Sequence, residues 1–146
     1  MTKKGTFEFY VPKYLHQDKK INPKAIVAYS DTSGQTFFMV IREEVPDTEM
    51  ENVTIELENY YTFVRSGITD GLKNARIFND KSTIINEEEA IIAEIEGEYG
   101  GEKVYYCLAV IKTREYFYQL IGWTLKQNKE TRGLDIYNSC LSFVEL

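Results

Sequence analysis

Histidine and cysteine, which most metal and nucleophilic sites need, are almost absent from this sequence. Its 146 residues include one histidine, His16, and two cysteines, Cys107 and Cys140. A zinc site needs three or four converging ligands, and a Ser-His-Asp or Cys-His site would have to use His16, which lies in a loop. We therefore expect no metal site, no nucleophilic triad and no cofactor. Two cysteines are also too few for a disulfide framework, and they either form one bridge or fill the core as free thiols.

The sequence also lacks a long apolar run and an excess of positive charge. Without about 18 consecutive apolar residues, it predicts no transmembrane segment. No apolar stretch follows Lys3 and Lys4, so we expect no signal peptide in the chain as given, although Met1 could follow an export signal that was removed. Seventeen Lys and Arg against 23 Asp and Glu give a net charge of −6, which argues against binding to nucleic acid or to an anionic membrane.

Proline is scarce, whereas aromatic residues are plentiful. The three prolines, Pro12, Pro23 and Pro46, all lie in the first third of the chain. None interrupts a later element, and we expect a single domain over residues 1–146. Eleven tyrosines and eight phenylalanines supply the apolar surface that a disordered chain lacks.

Apolar patterning predicts both strands and helices. Seven runs predict strands, at residues 7–11, 25–29, 35–42, 75–85, 89–99, 103–112 and 116–125. Between the third and fourth strands, apolar residues recur every three or four positions, which predicts an amphipathic helix over 53–71. Asn52 would cap this helix, although Asn52-Val53-Thr54 also fits a glycosylation sequon. Helical spacing predicts a second helix at the end of the chain, from Leu134, Tyr137, Cys140, Leu141 and Val144.

The connections between the predicted strands indicate how they pair. Gly100-Gly101 separates two alternating runs and is a strong signal for a two-residue hairpin. That turn predicts that Glu98 pairs with Lys103 and Glu96 with Tyr105. Short connections indicate a mostly antiparallel sheet, and apolar residues on both faces of the strands require cover on both sides. The predicted fold class is therefore α+β, an α/β/α sandwich in which two or more helices cover the sheet.

Several segments carry a resemblance to a known family. They are a first strand that closes on Val-Pro (Phe7-Glu8-Phe9-Tyr10-Val11-Pro12), the Phe-rich strand 37–41, the helix 53–71, the paired strands 89–112 and the closing Ser139-Cys140-Leu141-Ser142-Phe143. Together with the order of elements, they resemble the PsbP-like domains, which are similar in fold to the Ran-binding Mog proteins. Lys13-Tyr14 departs from the Gly-Trp that often follows the Val-Pro in such domains. The resemblance implies a mostly non-enzymatic role in docking onto other proteins, often outside the cytoplasm and sometimes with a lipid anchor.

The main functional hypothesis is a non-catalytic interaction module whose partner is another protein. Glu94, Glu96 and Glu98 share one face of a predicted strand, and tyrosine is favoured at interfaces because it combines a large area with a polar group. The candidate binding residues are these three carboxylates together with Tyr105 and Tyr118. This hypothesis predicts a face rimmed by Tyr and Glu and no buried polar cluster.

Two alternatives remain open on the sequence. A small hydrolase could use Glu94 and Glu96, because residues two apart on a strand lie roughly 7 Å apart, within the range of carboxylate pairs in glycosidases. It would need a concave pocket at that pair. The other alternative is a binder of a small apolar ligand, held between helix and sheet in a pocket lined by Phe37, Tyr61 and Trp123.

Overall fold

The computed structural model describes residues 6–33, 35–45 and 56–146. Several predicted features lie outside these ranges: the lysines near the N-terminus, Pro46, the Asn52 cap with its sequon, and the first residues of the predicted helix.

Nine strands are present in the described part of the chain. They are β1 Phe7–Glu8, β2 His16–Gln17, β3 Val27–Asp31, β4 Thr36–Glu44, β5 Lys73–Ile85, β6 Glu88–Tyr99, β7 Glu102–Lys112, β8 Tyr116–Leu125 and β9 Val144–Glu145. Seven of them form one antiparallel sheet in the order β2-β3-β4-β8-β7-β6-β5. β1 and β9 form a separate antiparallel pair.

Two helices cover the two faces of the seven-stranded sheet. α1, Leu57–Thr69, packs on one face through buried apolar side chains that recur at helical spacing: Leu57, Tyr60, Tyr61 and Val64. α2, Leu134–Leu141, covers the opposite face together with the N-terminal segment, through Ile136, Cys140 and the following Phe143. A 3₁₀ turn, Lys126–Asn128, and a π-helical turn, Lys129–Gly133, lead from β8 into α2. The predicted α+β sandwich with cover on both faces is confirmed.

The hairpin between β6 and β7 has the predicted register. Glu98 pairs with Lys103 and Glu96 with Tyr105. Gly100 and Gly101 have φ angles of 59° and 83°. This left-handed backbone at both turn positions is what a tight hairpin turn requires and what glycine adopts without steric cost.

The largest differences from the sequence prediction lie near the two ends of the chain. The first strand spans only Phe7–Glu8, and its partner is β9, in a segment where the second helix was predicted to continue. α2 ends at Leu141, and Leu134 and Leu141 are exposed rather than buried. A short strand, β2, lies in the segment predicted to be an irregular loop. The short strands β1, β2 and β9 depend on pairing with other segments of the chain, which local periodicity does not contain.

The distance between α2 and the sheet depends on Gly122. A Cβ at this position would lie 2.3 Å from Cγ2 of Ile136 and 2.9 Å from the Phe38 ring. Because glycine has no side chain, the helix backbone can approach β8 and β7 closely. This close approach brings α2 into contact with the centre of the sheet.

Candidate interaction site

The three predicted carboxylates lie on the face of the sheet that α2 covers. Glu94, Glu96 and Glu98 alternate along β6 on the same face as the buried Ile92 and Tyr105. Each accepts a hydrogen bond from a side chain of the edge strand β5: Asn79 bonds Glu94 at 2.6 Å, Arg76 bonds Glu96 at 3.0 Å and Asn74 bonds Glu98 at 2.7 Å. We call these three glutamates the carboxylate row.

The irregular path of β5 places those donors. The pairing of β5 with β6 shifts between Lys73 and Arg76 and again between Phe78 and Lys81, with one extra residue in β5 each time. Asn74 and Asn79, within these bulges, have φ angles of 53° and 54°, a conformation that Asn tolerates better than most residues. The bulges also interrupt a long edge strand, which limits edge-to-edge association.

Glu96 is the centre of an ionic cluster. Its side chain is 8% exposed, and its oxygens lie 2.7 Å from Lys129 Nζ, 3.0 Å from Arg76 and 3.4 Å from Lys126 Nζ. Burial alone would raise the pKa of Glu96, but hydrogen bonds from Lys129 and Arg76 outweigh it and lower that pKa to about 2. Glu96 is therefore ionised at neutral pH and cannot act as a general acid there. Only the carboxylate of this cluster is buried, because the three cations are 34–65% exposed, and the expectation of no buried polar cluster is therefore contradicted at Glu96.

Tyr105 joins the carboxylate row from the neighbouring strand β7. It is almost fully buried, and its hydroxyl donates a hydrogen bond to Glu94 Oε1 at 2.7 Å. Burial raises the pKa of Tyr105, and the bond to Glu94 raises it further, so the phenol stays protonated. The ring packs against Gly133, where a Cβ would lie 3.0 Å from Tyr105 Cε2.

Tyr118 lies away from the carboxylate row. It is fully buried in β8, and its hydroxyl donates to Glu145 Oε2 of β9 at 2.7 Å. Its ring contacts Phe143 and Phe7, with centroids 4.7 Å and 5.4 Å away. The structure therefore brings together four of the five candidate residues, and Tyr118 instead connects the sheet to the β1–β9 pair.

The sequence analysis missed the three cations around Glu96. Lys126 and Lys129 lie one helical turn apart in the polar segment after β8, a spacing that could have been noticed. Arg76 reaches Glu96 only because of the bulge in β5, which nothing in the sequence indicated.

An exposed apolar patch lies on the outer side of α2, and the sequence analysis did not predict it. Leu134 and Leu141 are 56% and 41% exposed, and they lie two turns apart on one side of the helix. Tyr10, 55% exposed, lies beside the end of this helix, because its backbone N–H donates to Ser142 Oγ at 2.7 Å. We call Tyr10, Leu134 and Leu141 the α2 patch.

Polar groups beside the α2 patch are bonded within the chain. The hydroxyl of Tyr14 donates to Asp135 Oδ2 at 2.6 Å. Arg132 bonds Asp31 at 2.7 Å, and its guanidinium lies 3.7 Å from the centroid of the Tyr14 ring. These contacts also fix the position of the π-helical turn against β3.

The residues proposed for an apolar ligand pack on the sheet face that α1 covers. Phe37 and Trp123 stack at 5.2 Å, and Tyr106 stacks on the other side of Trp123 at 5.6 Å, on the sheet face that α1 covers. Tyr61 lies on α1 and is buried against the same face. None of the four clefts that we describe is lined by Phe37, Tyr61 or Trp123.

Three of the four clefts lie at the end of the sheet that carries Gly100-Gly101, and the fourth, about 400 Å³, lies between the start of α1 and strands β5, β6 and β7. The largest, about 550 Å³, is lined by Glu102, Lys103, Leu125, Lys126 and Gln127. A smaller one, about 190 Å³, includes Glu96 and Glu98 but not Glu94. The pair required by the hydrolase hypothesis, Glu94 and Glu96, therefore shares none of these clefts.

Two further findings concern the described residues only. Across residues 6–33, 35–45 and 56–146, no three His, Cys, Asp or Glu side chains are arranged to hold a metal ion. Within the same ranges, neither helix has the length and apolar character needed to cross a membrane.

Comparison with known proteins identifies the fold. No family model matches the sequence, and no curated protein matches it significantly. A solved structure of cyanobacterial PsbP (CyanoP) from Synechocystis sp. PCC 6803 superposes with a TM-score of 0.70 at 16% identity, covering 96% of this chain and 86% of that one. The chain therefore has a PsbP-like fold, as its resemblance predicted.

Two other solved structures are similar. LpqN, described as involved in cell envelope biogenesis of Mycobacterium tuberculosis, has a TM-score of 0.71 at 11% identity, over 97% of this chain and 85% of its own. PA94 of Pseudomonas aeruginosa, a protein of unknown function, has a TM-score of 0.59 at 10% identity, over 99% of this chain and 86% of its own. At these identities the similarity concerns the fold and not the function.

Proposed function

We propose that this chain is a non-catalytic interaction module that docks onto another protein through the α2 patch. The observation that carries the proposal is the exposure of Leu134 and Leu141 on one side of α2, with exposed Tyr10 bonded through its backbone to Ser142, directly after the helix. Large apolar side chains grouped on a surface are typical of protein interfaces, whereas isolated ones need no explanation. Because the neighbouring Tyr14, Asp135 and Arg132 bond one another or the sheet, the expected partner presents an apolar surface rather than a charged one.

The state of the carboxylate row supports a non-catalytic role. A glycosidase of the common type needs one carboxylic acid that is protonated at its working pH. Glu96 has the opposite property, because its three cationic partners keep it ionised. Glu94 is occupied by Asn79 and Tyr105, both within 2.7 Å.

In this proposal the carboxylate row orients the docking surface. Glu96 binds Lys126 and Lys129, in the two turns that lead into α2. It therefore fixes the start of the helix that carries Leu134 and Leu141. Direct contact of Glu94, Glu98 or Tyr105 with a partner stays a prediction.

The location outside the cytoplasm that the resemblance implies is also part of the proposal. One similar structure, LpqN, is described as a protein of cell envelope biogenesis. Fractionation of the source cells, followed by immunodetection of the native protein, tests this location. Recovery in the cytoplasmic fraction alone would exclude it.

The docking proposal is tested with the immobilised chain and an extract of its source cells. The test variant carries Leu134→Gln and Leu141→Gln, which remove the apolar character of the α2 patch. The control is Phe63→Gln, because Phe63 is 72% exposed but lies on α1, on the other side of the sheet. Circular dichroism and thermal melting establish that all three proteins are folded.

We expect a specific protein to be retained by the wild type and the Phe63→Gln control, and to be reduced about 10-fold or more by the double variant. Titration of that purified protein against the three chains should reproduce the same order of affinities. Equal retention of every protein by all three chains would refute the role of the α2 patch.

A further inference from the structure

The two cysteines meet at the contact between α2 and the sheet. Cys107 lies in the middle of β7, and Cys140 lies in the last turn of α2, 33 residues later. Both are completely buried, and their sulfur atoms are 3.9 Å apart. Neither takes part in the α2 patch or in the carboxylate row.

The fold itself produces this proximity. Cys107 pairs with Gly122 across the β7–β8 ladder. Because Gly122 has no side chain, Ile136 and its helix approach the sheet directly beside Cys107. Cys140, four residues after Ile136, lies one helical turn further on the same side of α2, and therefore faces Cys107.

A disulfide needs only a small displacement from this arrangement. Its sulfur–sulfur bond is about 2.05 Å long, so the two sulfurs must approach by about 2 Å, a distance that side-chain rotation and a slight shift of the helix end can provide. The bond would close a loop of 33 residues that contains the second half of β7, all of β8, the two turns before α2 and most of α2 itself.

We propose that Cys107 and Cys140 form an intramolecular disulfide when the chain folds under oxidising conditions, and that this bond fastens α2 to the sheet. The two thiols lose two protons and two electrons, and one sulfur–sulfur bond forms between them. The oxidant is a disulfide, either small or carried by a thiol–disulfide oxidoreductase, and it is reduced to its two thiols. This proposal does not depend on what binds to α2.

Burial of the two cysteines determines the stage of folding at which the disulfide can form. In the folded chain neither sulfur is reachable by an oxidant, because both are covered by the sheet and by α2. The contact with Cys140, together with burial, raises the pKa of the Cys107 thiol, so the reactive thiolate is scarce. Exchange therefore takes place before α2 has docked, and docking then protects the finished bond from reduction.

The test refolds the reduced, denatured full chain at low micromolar concentration, with and without oxidised glutathione. The products are alkylated under denaturing conditions and weighed by intact mass spectrometry. We expect the oxidatively refolded monomer to be about 2 Da lighter than the reduced chain and to take up no alkylating reagent. A proteolytic map should then recover one peptide pair joined through Cys107 and Cys140.

Thermal melting tests whether the bond fastens the helix. The oxidised wild type should melt about 10 °C above the reduced wild type, as expected for a closed loop of this length. The control carries Cys107→Ala and Cys140→Ala, and its melting temperature should be the same in both buffers.

Three results would overturn the proposal. The first is a correctly folded, oxidatively refolded monomer in which both thiols are still alkylated. The second is a disulfide that forms only between chains. The third is an oxidised monomer that melts at or below the temperature of the reduced one.

Discussion

At the scale of single residues, Glu96 shows how a buried charge is accommodated. Its side chain is nearly inaccessible to solvent, yet its two oxygens have three cationic partners. Those partners are themselves partly exposed, so their charges keep much of their hydration. The cost of burying the carboxylate is offset by the hydrogen bonds from Lys129 and Arg76. Its role is to connect β5, β6 and the turns before α2.

Replacing Glu96 by Gln should destabilise the protein by about 1–2 kcal/mol, because the substitution removes a charge that three cations surround. The measurement is urea unfolding at neutral pH. Glu98→Gln is the matched control on the same strand, and we expect it to cost less than about 0.5 kcal/mol, because the bond between Glu98 and Asn74 is exposed. Equal costs for the two variants would contradict the central role of Glu96.

The effect of Glu96→Gln should also depend on pH. The pKa of Glu96 is lowered from 4.5 to about 2 in the folded chain, so ionised Glu96 stabilises the fold above pH 4.5. This stabilisation is lost as the pH falls towards the folded-state pKa. The difference in stability between wild type and variant should therefore shrink between about pH 5 and pH 2. A difference that stays constant over this range would show that the ionised carboxylate is not its source.

At the scale of elements, the two helices depend on different features. α1 follows the apolar spacing of three and four residues that predicted it, because Leu57, Tyr60, Tyr61 and Val64 are all buried on one side of the helix. α2 follows the predicted stripe only in part, because Cys140 is buried as predicted, whereas Leu134 and Leu141 point outwards and Ile136, outside the stripe, is buried. The position of α2 depends instead on Gly122 of β8, which faces Ile136 of the helix.

Gly122→Ala should destabilise the protein by about 1–3 kcal/mol, because the added methyl group overlaps Ile136 and Phe38. The control is Gly67→Ala in the exposed part of α1, where a Cβ meets no atom within 4 Å. It should stabilise the protein by about 0.5–1 kcal/mol, since alanine is the better helix former. Chemical unfolding of both variants measures the difference, and an unchanged stability of Gly122→Ala would contradict the close approach of α2.

At the scale of the whole molecule, two apolar layers share one sheet. The layer under α2 includes Phe38, Leu120 and Ile136, and the layer under α1 includes Ile121, Trp123 and Val64. Adjacent residues of β8 point alternately into the two layers. Both layers pack against the same strands, so the loss of one layer removes the support of the other. We therefore expect both layers to unfold together.

Ile136→Ala should lower stability by about 2–4 kcal/mol, as do other large-to-small substitutions in a core. Trp123, the single tryptophan, lies in the opposite layer and reports on it by fluorescence. Urea transitions followed by Trp123 fluorescence and by far-UV circular dichroism should coincide in the wild type and shift together in the variant. Midpoints that separate would indicate that the two layers unfold independently.

The sequence by itself determined the features that depend on neighbouring residues. The fold class, the hairpin at Gly100-Gly101 with its register, the apolar face of α1 and the alignment of Glu94, Glu96 and Glu98 all arise from local periodicity and turn chemistry. Only the tertiary structure decided the features that join distant segments. These are the β1–β9 pair, the cations around Glu96, the position of Tyr118 away from the carboxylate row, the exposure of Leu134 and Leu141, and the contact between Cys107 and Cys140. The physical reason is that the spacing of residues along the sequence shows which side chains share a face of a helix or strand. Which residues of other segments contact that face depends on how the whole chain packs.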